Sequence, residues 1–366
     1  MLAFFYLIIV LLNLGLFLYG RRGKLTEVLT GGFAILFAIG KRYVGGYICY
    51  DLQHYESNYR SLADMKEVGY AVLRNMCVQF GLSFYEFYMF LIAAFMIILF
   101  ITAKKRGINM HLMYSALLIY YIFIPTSQIK CFCAFVILFI STKWALSEEK
   151  KDIFKFAIGV FVASLFHPAY ILYMSLIVVK FSKSERFPKI FGVMFAGFCI
   201  LVIVSNSQQM VANLISAYLA DFNTYDRYDK YFRSVSHLAP VSIIIIWGIY
   251  VCLIYYWRKI FDNTSIAHNI SMLGVSHNVC TMAVVSCFFL PLLFMNMTMY
   301  RMIRDLSFII LCYSSIGINC ETTRLRNRSV ICALSLGIVT GLFAYDIIIK
   351  GYWNDYLIYY FTNAIL

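Results

Sequence analysis

The stretch TSQIKCFCAFVILFISTKWALSEEKKDIFKFAIGVFVASLFHPAYILYMSLIVVK, residues 126–180, decides how the chain folds. It opens on a polar break from Pro125 to Lys130 and continues as an apolar run. It then passes a charged knot from Ser147 to Lys155 and ends in a second apolar run interrupted by His167 and Pro168. An apolar helix needs about 20 residues to cross about 30 Å of hydrocarbon, and the first run approaches that length. The second, Ile153 to Val179, holds 27 residues and suits either one long helix or two short half-spans kinked at the His-Pro step. A lysine, a histidine and a proline among so many apolar residues are more than a lipid-facing scaffold needs.

Charge decides between the two readings. If the chain enters and returns at His167-Pro168, the clusters at 21–24, 104–106, 143–155, 180–189, 258–259 and 324–328 share one side and hold 19 of the 31 basic residues. If it crosses once, every later loop changes side and the division becomes 16 against 15. Cytoplasmic loops carry the excess of Lys and Arg, so the return is favoured, with both termini outside. Two half-helices meeting at a break expose backbone groups that lipid cannot satisfy, so the break must face protein or a water-filled cavity.

The rest of the chain reads the same way. It is 62% hydrophobic and 13% charged, with a mean hydropathy of +0.77, whereas a soluble domain carries about 25% charge. The fold class is all-α: a polytopic transmembrane helical bundle of about twelve segments, some short or broken, forming one integral membrane domain over residues 1–366. The segments fall near Leu2–Tyr19, Leu25–Gly40, Phe84–Ala103, Met110–Ile124, Ile129–Leu146, Ile153–Phe166, Ala169–Val179, Ile190–Ser205, Ala239–Tyr256, Met272–Phe294, Leu306–Asn319 and Val330–Ile349. A net charge of +13 would suggest nucleic acid in a soluble chain. Here the basic residues lie in short clusters between apolar runs, where they set topology, and no nucleic-acid partner is expected. Arg21 and Arg22 follow the first apolar run rather than precede it, so that run reads as a retained span rather than a cleaved signal. The 11 cysteines form no C-x-x-C pair; only Cys49 and Cys77 share an outer loop and are candidates for a bridge.

Two outer loops exceed turn length, residues 41–83 and 206–238. The second begins with Met210, Leu214, Tyr218 and Phe222 at spacing four, beside Val211, Ile215 and Leu219, which predicts an interfacial helix. Tyr225, Tyr228 and Tyr231 follow at spacing three, suited to stacking on sugar rings or to an interfacial belt. The polar loop mass lies outside, and the chemistry is expected there.

No G-x-x-x-x-G-K-[ST] loop, H-E-x-x-H helix or D-x-D pair occurs, which argues against ATP coupling and nucleotide-sugar chemistry and leaves no metal or cofactor expected. The remaining candidates are cations and carboxylates at the outer edge. Arg301 and Arg304, three apart, share a helical face; Arg42 closes the second span and Lys130, beside Gln128, opens the fifth. Guanidinium forks match diphosphate oxygens, although such residues also snorkel to headgroups. His167, Asp51 and Glu67 are candidate proton acceptors, with Asp305 a further outer carboxylate, and each is equally suited to a structural pairing. His54, His111, His237, His268 and His277 form no recognisable ligand spacing.

Several short patterns in order resemble the EpsG family of Wzy-type polysaccharide polymerases. Arg42, Gly45 or Gly46, Asp51 and Tyr55 as D-x-x-x-Y, and Glu67-Val68-Gly69-Tyr70 as E-x-G-Y form the first. Gln128-Ile129-Lys130 leading to Ala134 is similar to Q-I-R-x-x-x-A with lysine in place of arginine. Phe166-His167 and Tyr300-Arg301 complete the series. The resemblance implies an enzyme of the bacterial cytoplasmic membrane that joins polyprenyl-diphosphate-linked oligosaccharide repeats on the outer face into capsule, exopolysaccharide or O-antigen. It would work among membrane lipid and alongside a flippase and a chain-length regulator. Arg42, Lys130, Arg301 and Arg304 would then hold diphosphate and Tyr55, Tyr70, Tyr225 and Tyr228 would contact sugar. A transporter of lipid-linked sugars, and an O-antigen ligase or acyltransferase, are the competing readings; broken half-spans suit alternating access too, but no inverted repeat is visible.

Overall fold

In the computed structural model, the structure describes residues 2–19, 23–40, 50–61, 67–184, 186–204, 238–262, 270–295 and 299–316, with the single positions 337 and 341. The described residues are helical with no strand. Arg42, the expected interfacial helix, Tyr225, Tyr228 and Tyr231 lie outside them, as does nearly all of the last expected span. Three described helices are long and apolar enough to cross a membrane, Phe84–Lys105, Ile129–Leu146 and Val241–Lys259. Phe4, Leu25, Phe90, Val193 and Ile245 each leave more than half of their surface uncovered. Side chains of this kind belong against lipid tails and not against water, and the chain is a multi-pass membrane protein.

Contacts divide the chain into two compact units. The first comprises Met1–Thr142, Ile158–Ile171 and Leu311–Leu366; the second comprises Lys143–Ala157 and Leu172–Ile310. In the first unit α1 (Leu2–Leu18) packs on α6 (Met110–Ala116), and α2 (Lys24–Ile39) packs on α5 (Phe84–Lys105) and α6. Tyr6 anchors this core, its ring 4.7 Å from that of Phe37 and 5.6 Å from that of Phe123. A buried polar set crosses the same helices: Asn13 Nδ2 donates to Thr30 Oγ1 at 3.1 Å, and Asn13 Oδ1 lies 2.9 Å from His111 Nδ1. Two shorter helices, α3 (Tyr50–Arg60) and α4 (Val68–Gln79), occupy the first long loop.

The expected span Met110–Ile124 is not one α-helix. After α6 the backbone widens into a π segment, Leu117–Tyr121, and re-forms as a single turn, α7 (Ile124–Ser127). Pro125 supplies no amide to the helical ladder there. The next helix, α8 (Ile129–Leu146), has the expected bounds. Arg106, which the charge count treated only as a topology signal, turns inward. Its guanidinium donates to Phe139 O at 2.6 Å, to Ile140 O at 2.5 Å and to the Tyr313 hydroxyl.

The His-Pro step breaks the second apolar run. Proline disfavours helical backbone in the residue before it, so α9 (Asp152–Phe166) ends at Phe166 and a 3-10 helix, Pro168–Phe181, begins beyond His167. The far end of that helix returns to the near end of α9. Lys180 Nζ donates to the carbonyl of Ser147, to Ser147 Oγ at 2.7 Å and to Glu149 O at 3.2 Å, and Lys183 pairs with Glu148 at 2.7 Å. The chain therefore enters and comes back, as the charge count requires. The 3-10 geometry explains how so short a return arm suffices. Its 14 residues cover about 28 Å at about 2.0 Å each, against about 22 Å for the 15 residues of α9. Gly159 lets α9 sit against α8, since a Cβ there would collide with Ser141 Oγ.

In the second unit α10 (Phe187–Val204) sets Phe191 and Phe195 edge-on to Phe288, with ring centroids 4.9 and 5.7 Å away. There α11 (Leu238–Asp262) packs on α12 (Ile270–Val285), with Trp247 Nε1 donating to Ser286 Oγ at 3.0 Å. The expected span Met272–Phe294 is interrupted by a 3-10 turn at Ser286–Phe289, ahead of Pro291 and the short α13 (Leu292–Met295). The last described helix, α14, runs Tyr300–Ser314. It starts six residues before the expected Leu306, which puts Arg301 in its first turn and Arg304 in its second.

Candidate functional site

In the first unit Glu67 immediately precedes α4, and Gly69 makes the approach that matters. A Cβ on Gly69 would stand 2.9 Å from the Phe166 ring and 3.3 Å from the Leu165 carbonyl carbon. Only glycine lets the start of α4 come this close to the end of α9, where His167 follows. On the other side α8 opens with Lys130, whose side chain is 7% exposed.

Lys130 Nζ lies 2.7 Å from Glu67 Oε2, and the Glu67 side chain is 13% exposed. The ammonium also sits over two tyrosine rings, 5.6 Å from the centroid of Tyr55 and 5.2 Å from that of Tyr70. These contacts bring D-x-x-x-Y, E-x-G-Y and Q-I-K together around one cation. A cation over aromatic faces is attracted by their quadrupoles, most strongly where water is excluded. Tyr70 is wedged against Phe87 with centroids 5.5 Å apart, and its buried hydroxyl has no hydrogen-bond partner among the described residues. A buried hydroxyl without a partner loses its hydration for nothing in return, so it is available to a ligand.

His167 joins the group from the helix break. Its ring meets Tyr170 edge-on at 5.7 Å, and the Tyr170 hydroxyl donates to Cys131 O at 3.0 Å, one residue from Lys130. Burial pushes the Glu67 carboxyl pKa up and the Lys130 ammonium, by charge and hydrogen bond, pulls it down. With smaller contributions from a backbone hydrogen bond and the charge of His167, the carboxyl is held below its ordinary value. Glu67 is therefore a carboxylate at neutral pH. Asp51 lies in the first turn of α3, partly buried and four residues before Tyr55, on the same side of the helix.

Arg301 and Arg304 belong to the second unit, on α14. Arg304 is 1% exposed, its Nε donates to Asp305 Oδ1 at 2.9 Å, and its guanidinium stands 5.9 Å from the Tyr300 ring centroid. Arg301 is partly exposed. The helix beneath them is held by hydroxyls from two other elements. Tyr173 donates to Met302 O at 2.9 Å and Tyr250 to Ser307 O at 2.8 Å.

The sequence reading missed one feature of the first unit. Arg74, inside the first long loop, is buried and reaches Asn58 O at 3.4 Å, tying α4 to α3. It stands among Val72, Leu73, Met76 and Val78 on a helix too short to span the membrane, and no local pattern says which side of that helix is covered. Cys77, half of the candidate bridge, is a free buried thiol. Among the described residues no group of three or more His, Cys, Asp or Glu side chains is placed to hold a metal ion.

An all-helical chain that doubles back at a proline and buries a lysine–glutamate pair beside the bend is a multi-pass membrane protein with a polar site. Within that class, the model described as the EpsG family matches residues 25–362, nearly the whole chain, and the chain belongs to the EpsG family, a family of Wzy-like polymerases. Comparison with curated proteins and with solved structures found no match.

Proposed function

We propose that this protein polymerises oligosaccharide repeats carried on polyprenyl diphosphate, on the outer face of the bacterial cytoplasmic membrane. A hydroxyl of a lipid-linked acceptor repeat attacks the anomeric carbon of the growing chain. The bond from that carbon to the diphosphate oxygen breaks, the lipid diphosphate leaves with the electron pair, and the hydroxyl proton passes to a base. The observation that carries this reading is the Lys130–Glu67 pair, desolvated between two tyrosine rings next to His167, in a chain of the EpsG family.

The pair supplies both halves of the chemistry. Lysine is a point charge on a flexible stem, so an arriving diphosphate can draw the ammonium from Glu67 and be stabilised as charge develops on it. Once the ammonium moves, burial remains and the Glu67 carboxyl pKa rises, making it a stronger base when the acceptor hydroxyl is in place. Asp51 and His167 are the other groups assigned to the proton. Tyr55 and Tyr70 present ring faces, and Tyr70 a hydroxyl, to the sugar nearest the diphosphate. Arg301 and Arg304 are assigned to a lipid diphosphate of the same reaction, with the Asp305 contact fixing the fork of Arg304. No metal is needed in this scheme, because fixed cations do the work of charge stabilisation.

The test is the glycan of a deletion strain complemented with wild-type or variant chain. Wild type restores high-molecular-weight polymer, and the deletion leaves single repeats on their carrier at the outer face. Finished polymer retained on the carrier would point to a ligase, and repeats held at the inner face to a flippase; either result removes the polymerase reading.

A further inference from the structure

Along α3, Gln53, Glu56, Ser57 and Arg60 recur at i, i+3, i+4 and i+7 and so form one stripe. With Ser61 and Tyr85, from the first turn of α5, they line an open groove of about 720 Å³, within the usual range of ligand pockets, about 300–1,000 Å³. The stripe is held rigidly from behind. Tyr59 stacks on Phe87 with centroids 5.2 Å apart and donates its hydroxyl to Leu82 O at 2.7 Å, and Arg74 reaches Asn58 O. Resting on the reading of the protein as a glycan polymerase, we propose that this groove is a subsite for the uncharged oligosaccharide of a lipid-linked repeat.

The chemistry selects the ligand class. Glu56 and Arg60 pair at 2.5 Å, so the groove carries no net charge from its lining and offers no attraction to a bare anion. What it offers is an amide, a carboxylate, a guanidinium and two hydroxyls, donors and acceptors in alternation, facing one aromatic ring. Neighbouring hydroxyls on a sugar need such alternation, and the apolar face of a sugar ring needs a flat surface like that of Tyr85. The groove follows about 12 Å of α3 from Gln53 to Ser61 at 1.5 Å per residue, which suits a short oligosaccharide. Tyr55, on the opposite face of the same helix, meets Lys130, so α3 carries the groove on one side and borders the Lys130–Glu67 pair on the other.

The experiment uses the full chain in nanodiscs, titrated with the host's own repeat-unit oligosaccharide after mild-acid release from its lipid diphosphate, with binding read by saturation-transfer NMR. Gln53 and Arg60 are exposed, so Q53A and R60A keep the fold. Each should weaken binding about three- to tenfold, the loss of one polar contact; Y85L should do the same and Y85F should bind as wild type. K130M/E67Q, which removes both halves of the buried pair and keeps the fold, should bind the released glycan in the groove while failing to make polymer in cells. Equal affinity of wild type, Q53A, R60A and Y85L, or no binding to wild type, overturns the groove assignment. Polymer from K130M/E67Q would instead overturn the polymerase site and leave the binding comparison to decide the groove.

Discussion

Replacing Lys130 by methionine separates a structural ion pair from a working one. The substitution keeps the length and the packing against Tyr55 and Tyr70 but leaves Glu67, 13% exposed and formerly 2.7 Å from the ammonium, as a buried carboxylate without its cation. Breaking one side of such a pair costs about 3–5 kcal/mol, whereas replacing both sides by neutral groups of similar volume is close to neutral. At about 1.4 kcal/mol per factor of ten, K130M alone shifts the folding equilibrium by two to four powers of ten. K130M/E67Q recovers most of that. Two assays are read side by side: heat stability of detergent-purified protein by size-exclusion chromatography, and surface glycan length in a complemented deletion strain. K130M is heat-labile and makes no polymer; K130M/E67Q regains heat stability and still makes none. K130R, which keeps the charge and stacks on the same rings, regains both. Normal polymer from K130M/E67Q would refute the reasoning, because the pair would then have only held the fold together.

Arg301→Ala and Arg304→Ala part company: both abolish long glycan, with rate losses of about 10²–10³, but only R304A, which strands Asp305 in a buried site, loses heat stability as well, by about 3–5 kcal/mol. His167→Gln leaves lipid-linked repeats unpolymerised at the outer face, seen as a ladder collapsed to single units; wild-type ladders would return His167 to a purely structural part. Gly69→Ala pushes α4 off the end of α9 and lowers polymer yield, and Phe166→Leu in the same chain restores it by vacating the ring; failure of the second change to rescue would remove the close-approach argument. The Glu67 carboxyl is held below its ordinary pKa of 4.5, so its pairing stabilises fully above that value and is lost only as pH falls through the lower folded value. Heat stability of wild type is therefore flat from neutral pH to about pH 5 on account of this group. In K130M burial outweighs the remaining backbone hydrogen bond and His167 charge, the carboxyl pKa rises above its ordinary value, and the sign reverses: on account of this group the variant is most stable at low pH and loses stability as pH rises through the raised value.

Much of the architecture was legible in local pattern. Hydropathy placed α8 at Ile129–Leu146 because an apolar run of that length has one stable state in a bilayer. Pro168 announced the break, since its ring acts on the residue beside it, and the distribution of lysine and arginine required a return that Lys180, bonded to Ser147, displays. The resemblance was likewise carried by short strings of residues. None of those strings says what Lys130 touches. Its carboxylate partner stands 63 residues earlier in the chain, and α4 reaches it only because Gly69 has no side chain to meet Phe166. The burial of Arg304 against its own neighbour and the inward turn of Arg106 were equally hidden, because in one dimension a cation at an interface looks the same whether it snorkels or pairs. The sequence by itself determined an all-helical, lipid-embedded chain that doubles back at a proline, because hydropathy and backbone stereochemistry act over a few residues. Tertiary structure alone decided which charges meet, because ion pairing in a membrane protein is settled by helix packing across distances that no local pattern records.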